Sequence, residues 1–341
     1  MSLKNLNAKK IPKLYKIKLR NKKINQLYKK FENSLNIKEN FLVAVSGGPD
    51  SLALAFFSKL YAIKHNLLVK YFIIDHKLRP ESTEEAKLVK QTLKKFFISA
   101  HILTWKGKKP IKNIQSEARN KRYDLLFSKS RKFKINNILL GHHLDDLFEN
   151  FFIRILRGSG LKGLISFDKK TRNNEINLLR PLLDFKKIDL IFVTKKTFGL
   201  YVKDPSNENE KFQRIRIRNL LNELFENGFD KKKFILTINN LKYSNEIVKF
   251  YVKQNLKNNA SISVKKEKLI LKKMFFEQPH EVIFRSFSEL IQIVGKKYYS
   301  PRGKKLDKII NSVRNNTLNK VTLGGCIIEK INQTVILSKE H

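Results

Sequence analysis

The chain has 341 residues, 41% of them apolar, enough for about two or three domains with real cores. Lys and Arg total 71 against 30 Asp and Glu, a formal net charge of +41. That balance points to a polyanion, most simply nucleic acid, although abundant Lys, Asn, Ile and Phe also fit a proteome-wide drift that raises lysine everywhere. The lone Cys326 excludes an internal disulfide framework and a Cys-based zinc or iron–sulfur site. No apolar run reaches membrane-span length and no secretory apolar region opens the chain, so a reducing, cytoplasmic setting is expected. The Lys-rich start leaves an organelle transit peptide open, though Arg and Ser are sparse there.

In chain order, residues 1–36 form a basic extension whose one acid is Glu32. A helix is expected from about Asn25 to Leu35, and the extension reads equally as an RNA contact or a solvated arm. From Phe41 strands and helices alternate. Strands are expected at 41–45, 69–74, 100–104 and 136–141, with helices near 51–65, 82–97 and 114–131 between them. Ser82 with Glu85 reads as a capping box opening the second of these helices. The alternation predicts an α/β fold with a doubly wound parallel sheet, whose ligands bind beyond the carboxyl ends of the strands. Helices follow at about 143–157, 184–198 and 211–226. Gly228 and Asp230-Lys231-Lys232-Lys233 mark a boundary, giving a first domain over 37–228 and a supporting or nucleic-acid-binding domain over 229–341. The latter reads as mostly helical: helix 233–257, a short strand 262–272, helices 275–294 and 302–315, then a β-hairpin pairing Val321–Glu329 with Thr334–Leu337.

Ser46-Gly47-Gly48-Pro49-Asp50-Ser51 joins the first strand to the first helix of this domain. Glycines there expose consecutive backbone N–H groups beside a helix N-terminus, a cradle for phosphate. Asp50 can hold a divalent cation, and Ser46 and Ser51 offer hydroxyls. No Walker loop and no dinucleotide fingerprint is present, which disfavours γ-phosphate-transferring kinases and GTPases.

Further clusters lie at strand ends and helix starts. Asp75-His76-Lys77-Leu78-Arg79 ends the second strand, beside the loop, where adenosine would lie. Gly141-His142-His143-Leu144-Asp145-Asp146 follows the fourth strand; if helical, Asp145 and Glu149 share a face, with His142 near its start. Acids there suit Mg²⁺ with phosphate oxygens, with Asp50 and Asp145 as the expected ligands, or form an ordinary acidic helix start. Arg119 and Arg122 share a helix face and could fork onto phosphate or carboxylate. Arg157-Gly158-Ser159-Gly160-Leu161-Lys162 is glycine-rich and basic, able to approach a nucleotide. Arg214-Ile215-Arg216-Ile217-Arg218 suits RNA backbone contact or plain solubility.

These motifs, with Gln115–Tyr123, Arg180–Leu183 and Asp204–Asn207, stand in the order seen in the tRNA(Ile)-lysidine synthase family, which the chain resembles over about residues 38–220. The resemblance implies the PP-loop, adenine nucleotide alpha hydrolase-like fold. It implies that ATP adenylates the C2 oxygen of the wobble cytidine in the isoleucine tRNA with anticodon CAU, and that free L-lysine then displaces AMP. By that resemblance, Ser46 to Ser51 hold pyrophosphate. Asp50, Asp145 and Asp146 serve Mg²⁺ and adenylation, with Arg119 among the catalytic groups. Asp75, His76, Gly141 and His142 attend ATP. Arg79, Arg122, Glu149, Arg157, Lys162, Arg214 and Arg218 attend tRNA or lysine. A homodimer is left open. Lys77 stands where the family usually has glycine, and Leu147 and Phe148 where polar residues are commoner.

Three demands follow. The lysine amine, with an ordinary pKa of about 10.4, must lose a proton, for which Asp145, Asp146 and Glu149 are candidates. Charge on the departing pyrophosphate must be stabilised. The cytosine must leave its stack. Other readings are a cytidine thiolase of the same superfamily, disfavoured by the single cysteine; a small-molecule synthetase such as those of NAD or GMP, disfavoured by charge; and a non-catalytic basic RNA-binding protein.

Overall fold

The computed structural model describes residues 12–107, 114–173, 175–202, 213–263, 268–297 and 301–340. The side chains of 114–116 and 263, like the segment Asp204–Asn207, lie outside this description. The chain divides into two compact units, Met1–Phe229 and Asp230–His341.

In the first unit, helices α1 (Lys13–Leu19) and α2 (Lys22–Leu35) precede strand β1 (Phe41–Val45). Then come α3 (Pro49–Lys64), β2 (Val69–Asp75), α4 (Ser82–Lys94), β3 (Ala100–Thr104), α5 (Ile114–Phe133), β4 (Asn137–Leu139), α6 (Leu144–Leu156) and the short α7 (Leu161–Leu164). Strands β5 (Lys170–Asn173) and β6 (Ile176–Leu179) and helices α8 (Lys187–Phe198) and α9 (Gln213–Glu226) complete it. The sheet order is β3-β2-β1-β4-β6-β5, parallel except for the edge strand β5. The doubly wound parallel sheet read from the sequence is therefore present, with two strands that reading lacked. β5 is Lys-Thr-Arg-Asn, polar because it is a half-exposed edge; β6 is four residues long, too short for a periodic signal.

Alternation along β1 sorts the two faces. Phe41, Val43 and Val45 join the core beneath α3 and α8, with Phe56, Phe57, Leu60 and Leu190. Leu42 points the other way, to Phe72, Leu126 and Ile138. A strand apolar on both faces is what a central parallel strand requires.

Residues 12–36 correct the expectation of a separate basic arm. Tyr15, Ile24, Tyr28, Phe31 and Leu35 bury their side chains in the β1–α3 core. The Tyr15 ring stacks on Phe56 at 5.1 Å, and its hydroxyl donates to the Phe96 carbonyl at 2.6 Å. The lysines lie on the opposite face and hold α8: Lys23 pairs with Asp189 at 2.7 Å, and Lys18 donates to the Lys196 carbonyl at 2.7 Å.

The capping box expected at Ser82 and Glu85 is also absent. Glu81 is the cap residue, without a side-chain cap bond. The Ser82 hydroxyl donates instead to Asp75 Oδ1 at 2.8 Å, and Glu85 pairs with Arg79 at 2.8 Å. A charged acceptor and a charged donor outcompete a backbone amide.

The second unit holds α10 (Lys231–Asn259), β7 (Ala260–Ser263), β8 (Lys268–Leu271), a 3₁₀ turn (Lys273–Phe275), α11 (His280–Val294), α12 (Gly303–Arg314), β9 (Lys320–Leu323), β10 (Cys326–Ile331) and β11 (Thr334–Lys339). Its sheet is antiparallel, in the order β7-β8-β11-β10-β9. The C-terminal hairpin read from the sequence is its β10–β11 pair, while the turn at Gly324-Gly325 splits off β9. The expected single strand 262–272 is a pair, β7 and β8. Phe275, Phe287, Ile291, Leu306, Ile310, Cys326 and Ile328 fill the core.

Tyr15→Ala is expected to cost about 3 kcal/mol or more in urea unfolding, since it removes a fully buried aromatic ring and its hydrogen bond. A solvated arm would leave the midpoint unchanged.

Candidate active site

The bend between β1 and α3 is walled on two sides. Gly47 has φ +89°, and a Cβ on it would lie 2.5 Å from Val89 Cγ2 on α4 and 3.3 Å from Val202 Cγ2 beyond α8. Its carbonyl accepts the Val202 N–H at 3.0 Å. Gly48 caps α3, Pro49 takes the first helical position, and Asp50 lies in the first turn. The amides of Asp50 and Ser51 precede the first intrahelical donor, the Leu52 N–H bonded to the Gly48 carbonyl, so the helix presents its positive end here. Thr194 on α8 donates to the Pro49 carbonyl at 2.7 Å and pins this helix start.

The open row of amides expected from the sequence is corrected in one respect. Ser51 Oγ accepts the N–H of Ser46 and of Gly47, each at 3.1 Å, and donates to the Gly48 carbonyl at 3.0 Å. Ser46 Oγ donates to Ser51 Oγ, at 3.2 Å. A hydroxyl oxygen in the first turn thus occupies the concave spot where a phosphate oxygen would find the same donors.

Gly141, read from the sequence as touching ATP, has a packing role. A Cβ there would come within 3.1 Å of the Ser51 Cα and N. Its lack of a side chain lets the chain leaving β4 pass close behind the start of α3, and so brings the N-termini of α3 and α6 together.

His143 is the residue at which these two helix starts meet. It caps α6, and its Nδ1 accepts the Asp145 N–H at 3.2 Å. That bond leaves the ring proton on Nε2, which faces Asp50 Oδ2 and Asp146 Oδ2, both at 3.6 Å. The carboxylate of Asp145 lies on the other side of the ring, 3.9 Å from Nδ1. The imidazole therefore separates Asp50 from Asp145, the pair expected to share Mg²⁺; Asp146 is the acid on the Asp50 side.

Asp145 and Glu149 lie four residues apart on α6, as expected, but differ in burial. Asp145 keeps 32% of its side chain exposed, whereas Glu149 is 1% exposed. Asp146 and Glu149 are the buried pair, and α9 neutralises them. Arg214 pairs with both, and Arg218 Nε donates to Glu149 at 2.7 Å. Arg214 and Arg218, read from the sequence as RNA contacts, place their guanidiniums on these acids while their side chains stay partly exposed; Arg216, between them, is exposed.

Charge states follow from this arrangement. Burial pushes the Asp50 carboxyl above its ordinary range; His143 opposes the rise and Asp146 adds to it. Burial would raise Asp146 also, but His143 and Arg214 outweigh it and hold its pKa at about 2. Asp50 Oδ1 is buried and has no partner among the described residues. One carboxylate oxygen of this kind suits Mg²⁺, which takes one or two carboxylates plus phosphate oxygens. Among the described residues no group of three or more His, Cys, Asp or Glu could hold a metal by itself.

At the end of β2, Asp75 is 2% exposed and spends both oxygens within the chain. It accepts from the Lys77 N–H, Ser82 and Thr83 at 2.8 to 3.0 Å. Burial would raise its pKa, but these bonds lower it. Its expected contact with ATP is thereby corrected: it locks the turn. Lys77 adopts φ +50°, a left-handed conformation that the Asp75 acceptor sustains without glycine. His76 is kept neutral, its pKa lowered to about 4 by burial and by Arg122, whose Nε stands 3.5 Å from His76 Nε2. Arg79 is engaged by Glu85.

A second, strongly basic group surrounds His142. Burial and the nearby Arg180, Arg119 and Arg214 lower this histidine to a pKa of about 3, against the pull of Asp146. Its ring meets Phe167 edge-on at 5.1 Å, and Arg180 lies over the Phe167 ring at 4.6 Å. Arg119 is exposed and donates to Tyr123 at 3.2 Å. Burial and the charges of Arg157 and Arg119 lower the pKa of Arg154. Arg157 and Lys162 are exposed. Sequence reasoning missed His143, Arg154 and Arg180 as site residues. Their signals were the histidine three residues ahead of an acid at a helix start, and an arginine directly after a strand.

Stability should fall as pH drops from about 4 to about 2, since Asp146 charged below its unfolded pKa contributes only above that window. Asp75 and Glu32, also lowered, share this limb. Asp146→Asn should flatten it in urea titrations at each pH. Arg214→Ala is expected to cost about 3–5 kcal/mol by stranding two buried carboxylates, read in the same assay at pH 7.

Comparison with known proteins agrees with this geometry. A family model described as the PP-loop domain matches residues 18–224. The chain is 35% identical over 311 residues to tRNA(Ile)-lysidine synthase of Orientia tsutsugamushi, covering 87% of this chain and 69% of that protein. It is 31% identical over 319 residues to tRNA(Ile)-lysidine synthase of Wolbachia pipientis wMel, covering 91% and 74%. Among solved structures, the U34-tRNA thiolase NcsA from Methanococcus maripaludis superposes with a TM-score of 0.57 at 17% identity, over 66% of this chain and 79% of that one, a likeness of fold. With its PP-loop core and relatives matched along most of its length, the chain belongs to the tRNA(Ile)-lysidine synthase family.

Proposed function

We propose that this protein is an ATP-dependent ligase that joins free lysine to C2 of the wobble cytidine of the isoleucine tRNA with anticodon CAU. Its family membership carries this reading, and the loop geometry from Ser46 to Ser51 supports it. The C2 oxygen of cytosine attacks the α-phosphorus of ATP and pyrophosphate leaves. The ε-amine of lysine then attacks C2, loses a proton, and AMP departs with the oxygen.

In this reading the pyrophosphate enters the bend and takes over the donors that Ser51 Oγ holds, together with the first-turn amides of α3. Mg²⁺, held at Asp50 Oδ1 and by phosphate oxygens, would supply charge neutralisation there. His143 is a positioning residue: its Nε2–H orients Asp50 against Asp146. Arg119, Arg154 and Arg157 face the phosphates that flank the cytidine. Of the three acids considered for the lysine proton, Asp145 has the most exposed side chain, 32% against 12% for Asp146 and 1% for Glu149, and the role is assigned to it. Among the described residues no helix is long and apolar enough to cross a membrane, and the cytoplasm is the proposed place of action. A thiolase reading gains nothing from the shared fold, because the single cysteine is buried in the second unit's core.

Labelled lysine should enter the CAU isoleucine tRNA transcript only when ATP is present. Asp50→Asn should reduce incorporation by about 10²–10³ without lowering the urea midpoint. A folded wild type that incorporates no lysine would refute the proposal. His143→Ala is expected to lower kcat by about 10- to 100-fold and raise the Mg²⁺ needed for half-maximal rate; His143→Gln, which keeps a donor, should recover part of both.

A further inference from the structure

Arg180 stands directly after β6, at the carboxyl end of the sheet, and is 4% exposed. Burying a guanidinium is costly unless its donors are used. Its Nη1 donates to the Asp168 carbonyl at 2.8 Å and to Thr171 Oγ1 at 3.0 Å. Its backbone N–H donates to the Lys169 carbonyl at 2.7 Å. These bonds fasten the chain entering β5, a half-exposed edge strand, to the end of β6.

Two lines of contact leave this guanidinium. One runs through Phe167, over whose ring Arg180 lies at 4.6 Å; that ring meets His142 edge-on at 5.1 Å. His142 Nδ1 is buried and has no partner among the described residues, so that atom does not fix the imidazole and the Phe167 contact bears on its place. The other line runs through Tyr123 on α5. Burial lowers the Arg180 pKa, while Tyr123 opposes the fall by charge and by a side-chain hydrogen bond. The same phenol oxygen accepts from Arg119 Nη2 at 3.2 Å, and Arg119 lies over the Tyr123 ring at 5.3 Å. Two like charges thus share one oxygen. Neither line passes through Asp146, Glu149 or Arg214, so this is a second brace, separate from the ion cluster between α6 and α9.

We infer that Arg180 is a positioning residue, which sets Arg119, through Tyr123, against His142, through Phe167. The inference rests on the ligase reading above for what the two residues hold: Arg119 the phosphates flanking the cytidine, His142 the ATP. A lysine at this position keeps the charge over Phe167. A point charge lacks the planar fork that reaches the β5 segment and Tyr123 together.

The test is steady-state lysine incorporation by the full-length chain, with ATP and the CAU isoleucine tRNA transcript each varied. Arg180→Lys should raise the KM for tRNA and lower kcat, each by about ten- to a hundredfold. Tyr123→Phe should reproduce the KM change alone, and Phe167→Leu the kcat change alone. Arg180→Lys combined with Tyr123→Phe should show a KM for tRNA no higher than Arg180→Lys by itself, because both act on one contact. A purely structural arginine would lower the urea midpoint and the amount of active protein and leave KM at the wild-type value. Should Arg180→Lys fail to fold, Thr171→Val, which removes one acceptor and keeps the shape, should give the same split to a smaller extent. Wild-type kinetic constants in the folded variant, or effects that multiply in the double variant, would overturn the inference while wild-type incorporation upholds the functional reading. A folded wild type that incorporates no lysine removes both.

Discussion

Two carboxylates, Asp146 and Glu149, are buried on one helix, and the first unit can fold only by giving them cations. Taking such groups out of water unpaired costs several kcal/mol each. Arg214 and Arg218 on α9 meet that demand, and in doing so fix α9 against α6. Asp146, held in place, confronts His143, and His143 confronts Asp50 at the start of α3. One ionic cluster therefore sets the distance between the Ser46–Ser51 bend and the acidic helix. Gly141 permits the approach; the arginines enforce it.

The same arrangement divides the acids by task. Asp75 holds a turn, Asp146 and Glu149 hold a helix pair, and Asp50 keeps a buried oxygen without a partner among the described residues. A carboxylate whose lone pairs are already spoken for offers little to a ligand. Asp50 is the one that is desolvated yet unsatisfied, which is why the proposed cation site falls on it. Beside these acids, Arg180, Arg119 and Arg214 raise a positive field close to His142, which burial and these charges keep neutral, and Arg157 and Arg119 lower the pKa of the partly buried Arg154. The overall charge of +41 is thus not spread featurelessly: part of it converges at the strand ends, and part lines the exposed face of α10.

Much of the scaffold was legible. β1, β2 and β3 are apolar runs flanked by helices, so their period and order reveal a parallel sheet directly. The bend at Ser46–Ser51 is local, because a turn between adjacent elements needs few distant partners. What escaped was contextual. Strand β5 is polar, and only its place at an edge makes it a strand. Residues 12–36 look like a solvated arm until their apolar positions find Phe56 and Phe57. Ser82 and Glu85 satisfy a capping pattern locally, but Asp75 and Arg79 are stronger partners.

The amino-acid order by itself determined the four strands β1 to β4, the bend at Ser46–Ser51 and the set of chemically able residues, since each depends on neighbours a few positions apart. Tertiary packing decided which of those residues face a ligand and which face one another. Arg214 lies 65 or more positions from the acids it neutralises, and Asp145 differs from Asp146 by one step around a helix. That single step of about 100° turns one carboxylate toward solvent and the other into an ion cluster, a distinction set by what packs against the helix rather than by the helix itself.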